Sequence, residues 1–179
     1  MTAGDDNEQR LIAAARKKGA AGQAAFGQLV LLHQARLVRL VQHLLGRSGY
    51  AEDVAQEAFV RAYLALDRHP SDAPLWPWLR TIATRLAFNH RRDAGTRKRY
   101  EEKAPVRERT THRLAEREVL EVVLEQLSYP YREILILRHV EELSVRAIAE
   151  QLDLGLSATK MRLSRAREEF KRVYDELAG

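Results

Sequence analysis

The stretch "SVRAIAEQLDLGLSATKMRLSRAREEF", residues 144–170, decides how the chain is read. Two helical segments flank the short "DLG". On the first, Ala147, Ile148 and Leu152 share a face. On the second, with Leu163 taken as the inward direction, Ala166, Phe170, Val173 and Leu177 follow at spacings of three and four, a packing stripe. Ser144 and Ser157 stand where each helix needs an acceptor for its first free N–H groups. Gly155 is the expected turn residue, and Leu156 is placed to plug the corner. Two helices joined this tightly form a helix-turn-helix. The outward side of the second helix is basic. Arg165 and Met161 point where a helix in the major groove meets base edges. Lys160, Arg162 and Arg167 lie nearer the phosphates, with Ser157 and Ser164 beside them. Charge alone would only describe a soluble helix. Cap, turn, apolar stripe and basic face in one register are more specific.

Working outward, the 179 residues suffice for one ordinary domain or two small ones. Charge is unevenly placed. Residues 77–99 carry seven Arg/Lys against one Asp, and residues 155–172 carry six against two Glu. Residues 100–154 between them carry eight against twelve acidic side chains. Two basic patches around an acidic middle suit a polyanion held at two places. The chain has no Cys, which excludes disulfides, thiolate metal sites and a Cys nucleophile. The start, "MTAGDDNEQR", lacks a signal-peptide core, and no apolar run approaches a membrane span, so a cytoplasmic protein without membrane insertion is expected.

Nearly every segment has helical period, and none alternates with period two. The reading is all-α: two small helical domains joined by a flexible linker, the C-terminal one a helix-turn-helix. Domain boundaries are expected at 1–95 and 114–179. The linker, 96–113, is too polar to bury a core. In the first domain, "AEDVAQEAFVRAYLALD", residues 51–67, reads as a helix with two apolar sides. Val54, Ala55, Ala58, Ala62, Ala65 and Leu66 make one side. Asp53, Gln56, Glu57, Val60, Tyr63 and Leu64 make the other, which is not an ordinary solvated face. Next comes "RHPSDAPLWP", a Pro-rich loop, and then a basic helix from about Pro77 to Arg92. Leu79, Ile82, Ala83 and Leu86 are expected inward. Arg80, Thr81, Thr84, Phe88 and Arg91 are expected outward with Arg85 at the edge, an aromatic among hydroxyls and cations that suits an unstacked base. Arg91 and Arg92 suit phosphate. Trp76, in the loop, is a further candidate for a base.

Taken together these segments resemble the extracytoplasmic-function sigma factors, the two-domain subunits that direct bacterial RNA polymerase to promoters. "AEDVAQEAFVRAYLALD" is similar to the family's DxxQExF segment, "WLRTIATRLAFNHRR" to its WLxxIAxNxxxDxxRR segment, and residues 127–168 to its promoter-binding C-terminal domain. The resemblance implies that Asp53, Gln56, Glu57, Val60 and Leu64 dock on the clamp helices of the polymerase's largest subunit. It also implies that the flap is a further polymerase contact. Loop 68–76 would take a flipped base of the −10 element, helix 77–92 would hold the single strand, and helix 157–171 would enter the −35 groove. It further implies an anti-sigma factor as inhibitor, and no cofactor.

Two other classes compete. A one-component helix-turn-helix regulator would bury Val60 and Leu64 against a second copy. An enzyme is disfavoured. The six His residues (33, 43, 69, 90, 112, 139) have no paired ligand spacing, and no Gly-rich phosphate loop is present.

Overall fold

The structure is a computed structural model, and it describes residues 3–17, 19–46, 49–70, 73–98 and 116–178. All regular elements among them are helical: α1 (Ala3–Ala15), α2 (Ala20–Leu45), α3 (Ala51–Leu64), a 3₁₀ turn (Leu66–Arg68), α4 (Leu75–Lys98), α5 (Glu116–Gln126), α6 (Tyr129–His139), α7 (Val145–Leu152) and α8 (Leu156–Ala178). The chain divides into two compact units, residues 1–42 with 47–90 and residues 43–46 with 91–179. Of the expected linker, residues 96–98 belong to α4, and the rest lies outside the described residues.

In the first unit α3 buries Ala51, Val54, Ala55, Ala58, Phe59 and Ala62. Four of these six are alanines, so the buried side of the helix is made largely of small side chains. α3 ends at Leu64 rather than Asp67; Ala65 caps it, and Leu66 returns to the core from the 3₁₀ turn. Tyr63 belongs to neither face as expected. It is half-buried, its ring 4.9 Å from that of Phe26.

α4 differs from the expectation in both start and phase. It opens at Leu75, so Trp76 lies in its first turn and not in the loop. Its buried side chains include Leu75, Trp76, Leu79, Arg80, Ala83, Thr84, Leu86 and Ala87. That arc is rotated toward Arg80 from the one the apolar pattern marks, and Ile82 is only half-buried. Burial of Thr84 is tolerated because its hydroxyl donates to the Arg80 carbonyl at 2.9 Å. Arg80 is 8% exposed, so its side chain is covered rather than presented on the outer face.

The second unit packs α5, α6, α7 and α8 around Val123, Leu127, Ile134, Leu137, Ile148, Leu163, Ala166 and Val173. Each fully buried leucine or isoleucine here is worth about 1.5–3 kcal/mol. α7 starts as read: the Ala147 N–H donates to Ser144 Oγ at 3.1 Å. The turn differs. Asp153, not Gly155, takes the left-handed conformation that ends α7, with φ of 53°. α8 begins at Leu156, which places Ser157 inside the first turn and not at the cap. Leu156 is 48% exposed and plugs nothing. Thr159 fills the corner instead: it is fully buried, its backbone N–H and its hydroxyl both donating to the Gly155 carbonyl. Phe170 and Val173 continue the stripe, whereas Leu177 is exposed.

Candidate polymerase and promoter interfaces

α3 carries the first candidate surface. Asp53, Gln56, Glu57, Val60 and Leu64 are all exposed, Val60 by 53% and Leu64 by 78%. They share the side opposite the alanine face. Glu57 is held by Arg61 one turn on, at 2.5 Å. Exposed pairs of this kind contribute little to stability. Two large apolar side chains among carboxylates and an amide leave a strip whose burial by a partner would remove apolar area from water, with the acidic groups setting orientation.

The second surface is α4 with the connection that precedes it. Of the residues expected there, the structure exposes Arg85, Phe88 and Arg92 and half-buries Thr81 and Arg91. The Thr81 hydroxyl donates back to the Pro77 carbonyl at 2.9 Å. Trp76, Arg80 and Thr84 are not on this surface. Trp76 is 7% exposed, covered by the Arg36 guanidinium 3.9 Å from its ring centre and by the His33 ring at 6.1 Å. The covering groups come from α2, some forty positions earlier, which is why no local pattern foretold them. An aromatic ring with flanking cations therefore remains, built from Phe88, Arg85 and Arg92.

The two ends of the connection before α4 are tied down. His69 is buried, and its Nε2 donates to the Pro74 carbonyl at 3.3 Å across the loop. Its ring packs 5.0 Å from that of Trp78. Its Nδ1 has no hydrogen-bond partner among the described residues. Arg16, just past α1, donates to the His69 carbonyl, and Glu8 of α1 accepts the Leu75 N–H at 2.8 Å. Glu8 also lies 3.4 Å from His33, whose imidazole burial holds below its ordinary pKa while Glu8 opposes the shift.

The third surface is α8. Ser157, Lys160, Met161, Ser164, Arg165 and Arg167 are exposed, and Arg162 is half-buried. Met161, 52% exposed, and Arg165 project from the middle of the outer side. Ser164 donates to Glu168 at 3.1 Å, so its hydroxyl proton is already engaged. Arg167 stands apart from Arg165. It lines an apolar groove of about 340 Å³ with Leu120, Leu124, Leu135, Ile136, His139, Val140 and Phe170. Beneath α8 lies a group the sequence reading did not mark. Glu133 is 6% exposed, hydrogen-bonded with Tyr129 and facing Arg162. Burial lifts its pKa to about 7 against the opposing pull of Arg162 and Tyr129. Burial likewise pushes the Tyr129 hydroxyl above its ordinary value. Neighbouring Arg132 is buried too. It donates to the Leu124 and Glu125 carbonyls at 2.6 Å each, capping the end of α5, and burial lowers its pKa to about 10. The available signal was the charged pair "RE" inside the apolar run "YREILIL".

Comparison with known proteins matches these units separately. The Sigma-70 region 2 family model matches residues 29–97, and the Sigma-70 region 4 model matches residues 117–170. The ECF RNA polymerase sigma factor SigW of Bacillus subtilis is 28% identical, over 90% of this chain and 94% of its own. The ECF RNA polymerase sigma-E factor of Escherichia coli K12 is 32% identical, over 82% of this chain and 84% of its own. Among solved structures, CnrH in complex with the cytosolic domain of CnrY aligns with a TM-score of 0.65 at 26% identity, covering 96% of this chain and 99% of that one. RpoE of Bartonella quintana, in complex with the anti-sigma factor NepR, shares the fold with a TM-score of 0.68 at 22% identity, covering 84% and 96%. Helical units matched by both sigma-70 regions, in order and along most of the length, make this chain a member of the ECF RNA polymerase sigma factors.

Proposed function

We propose that the chain docks on core RNA polymerase through the exposed strip of α3 and directs it to promoters. The first domain, 1–95, would bind core and the −10 element, and the second, 114–179, the −35 element, with 96–113 as linker. Asp53, Gln56, Glu57, Val60 and Leu64 contact the clamp helices. Loop 69–74 and the Arg85, Phe88 and Arg92 side of α4 hold the unpaired −10 strand, where stacking and phosphate neutralisation need no duplex. Arg165 and Met161 meet −35 base edges, flanked by Lys160 and Arg162 at phosphates. The groove of α5, α6 and α8 suits an amphipathic helix, and the polymerase flap is its occupant in the holoenzyme. An anti-sigma factor is the expected inhibitor, and the fold is shared with a sigma factor solved in complex with the anti-sigma factor NepR.

The observation that carries this reading is the α3 strip: Leu64 at 78% and Val60 at 53% exposure on a helix whose other side is fully packed. The test is run-off transcription with purified core polymerase on a genomic library. Promoter-specific transcripts that require this chain support the reading and give the promoter sequence. A symmetric dimer that binds duplex DNA without polymerase, and adds nothing to core, refutes it.

A further inference from the structure

α1 lies outside the residues matched by the region 2 model, which begins at residue 29. Its apolar residues explain why it packs: Ile12 is fully buried and Ala15 nearly so. They do not explain its polar side chains. Glu8 and Arg16 are eight positions apart, about 12 Å along a helix. They reach the two ends of one loop. Arg16 donates to the His69 carbonyl at its start, and Glu8 accepts the Leu75 N–H at its finish. The His69 side chain closes the same loop across its mouth, from Nε2 to the Pro74 carbonyl at 3.3 Å. Backbone groups at both feet are thus bonded from α1 and the residue just past its end rather than left to water. Feet held at a fixed spacing no longer have to be brought to that spacing when a ligand binds, which removes part of the entropic cost. A helix needed only for the core has no use for charged side chains aimed at loop backbone.

We infer that α1 acts as the positioning element of the −10 loop, with Glu8 and Arg16 as positioning residues that fix the spacing of its feet. This rests on the promoter reading given above. The helix touches no nucleic acid; it acts through the loop. Its loss changes recognition of the unpaired strand while docking through α3 is retained.

The experiment uses holoenzyme assembled from core polymerase and the full chain, as parent, as Glu8→Ala with Arg16→Ala, as Glu8→Ala alone and as Glu8→Gln. Each is measured for core binding and for binding to a pool of short randomised single-stranded DNA, with the bound fraction sequenced. The double variant is expected to bind core as the parent does, to bind the pool about tenfold more weakly, and to lose base preference. Glu8→Gln, whose amide oxygen still accepts from Leu75, is expected to stay within about twofold of the parent. A double variant with parental affinity and base preference overturns the inference. So does Glu8→Gln behaving like Glu8→Ala, or loss of core binding in step with loss of strand binding, which would make α1 a general stabiliser. A parent holoenzyme with no base preference overturns the promoter reading itself, a result separate from the others.

Discussion

Replacing Glu133 by Gln should make this protein more stable at pH 8 and no more stable at pH 4. The carboxyl is 6% exposed on α6, hydrogen-bonded with Tyr129 and facing Arg162 of α8. Burial raises its pKa from 4.5 to about 7 even though Arg162 and Tyr129 pull the other way. One pKa unit corresponds to about 1.4 kcal/mol, so the full shift is worth about 3 kcal/mol. The direction follows from proton counts. Between pH 4.5 and about 7 the folded chain holds a proton that the unfolded chain has lost. The stability contributed by this group is complete below the lower value, falls as pH rises, and is gone above the higher one. Gln keeps the shape and an acceptor for the Tyr129 hydroxyl, and it does not ionise. Urea unfolding of the two full-length proteins at several pH values gives the difference directly, and titrations common to both cancel. The expected difference is near zero at about pH 4, grows through pH 6, and levels at about 2–3 kcal/mol by pH 8. A difference that does not change with pH, or a Gln variant less stable at pH 8, refutes the claim that burial outweighs Arg162.

Three further outcomes follow from the surfaces. Asp53→Ala with Leu64→Ala should weaken binding to core polymerase by about tenfold or more with unchanged helicity, read by fluorescence anisotropy and circular dichroism; equal binding would remove the α3 strip as the docking site. Arg165→Ala should lower transcription from the cognate promoter and alter its upstream preference, by about 1–3 kcal/mol at one base pair; equal activity across all upstream variants would take Arg165 out of the reading set. Ser144→Ala removes the 3.1 Å cap on Ala147 and should cost about 1 kcal/mol in urea unfolding, whereas an unchanged midpoint would show that the hydroxyl contributes nothing at that end of α7.

The features legible in the sequence share a physical character, and so do those that were not. The α8 stripe through Leu163, Ala166, Phe170 and Val173 repeats with the helical period, and the Ser144 cap lies three residues from its donor. Both are local, and local spacing is what a sequence displays. The α3 strip was legible for a different reason. Val60 and Leu64 are apolar where an isolated domain would place solvent-facing groups, so the pattern fails visibly. The turn after α7 differs from the expectation because Asp153 and Gly155 stand two positions apart, and an aspartate, whose short polar side chain can bond locally, occasionally takes the left-handed conformation for which glycine is the default. α4 was misread because the pattern counts apolar residues and the core does not. Arg80 and Thr84 are buried, and Trp76 is covered by Arg36 and His33 from another helix. Glu133, Glu8 and Arg16 follow the same logic. Each is a polar group whose partner lies on another element or across a turn, and burying it is tolerated only because that partner exists. A surface meant for an absent partner breaks the sequence pattern and can be seen. A polar group answered by a distant residue of the same chain leaves at most a charge inside an apolar run, as at Arg132 and Glu133, and its role becomes readable only once the fold has brought the two together.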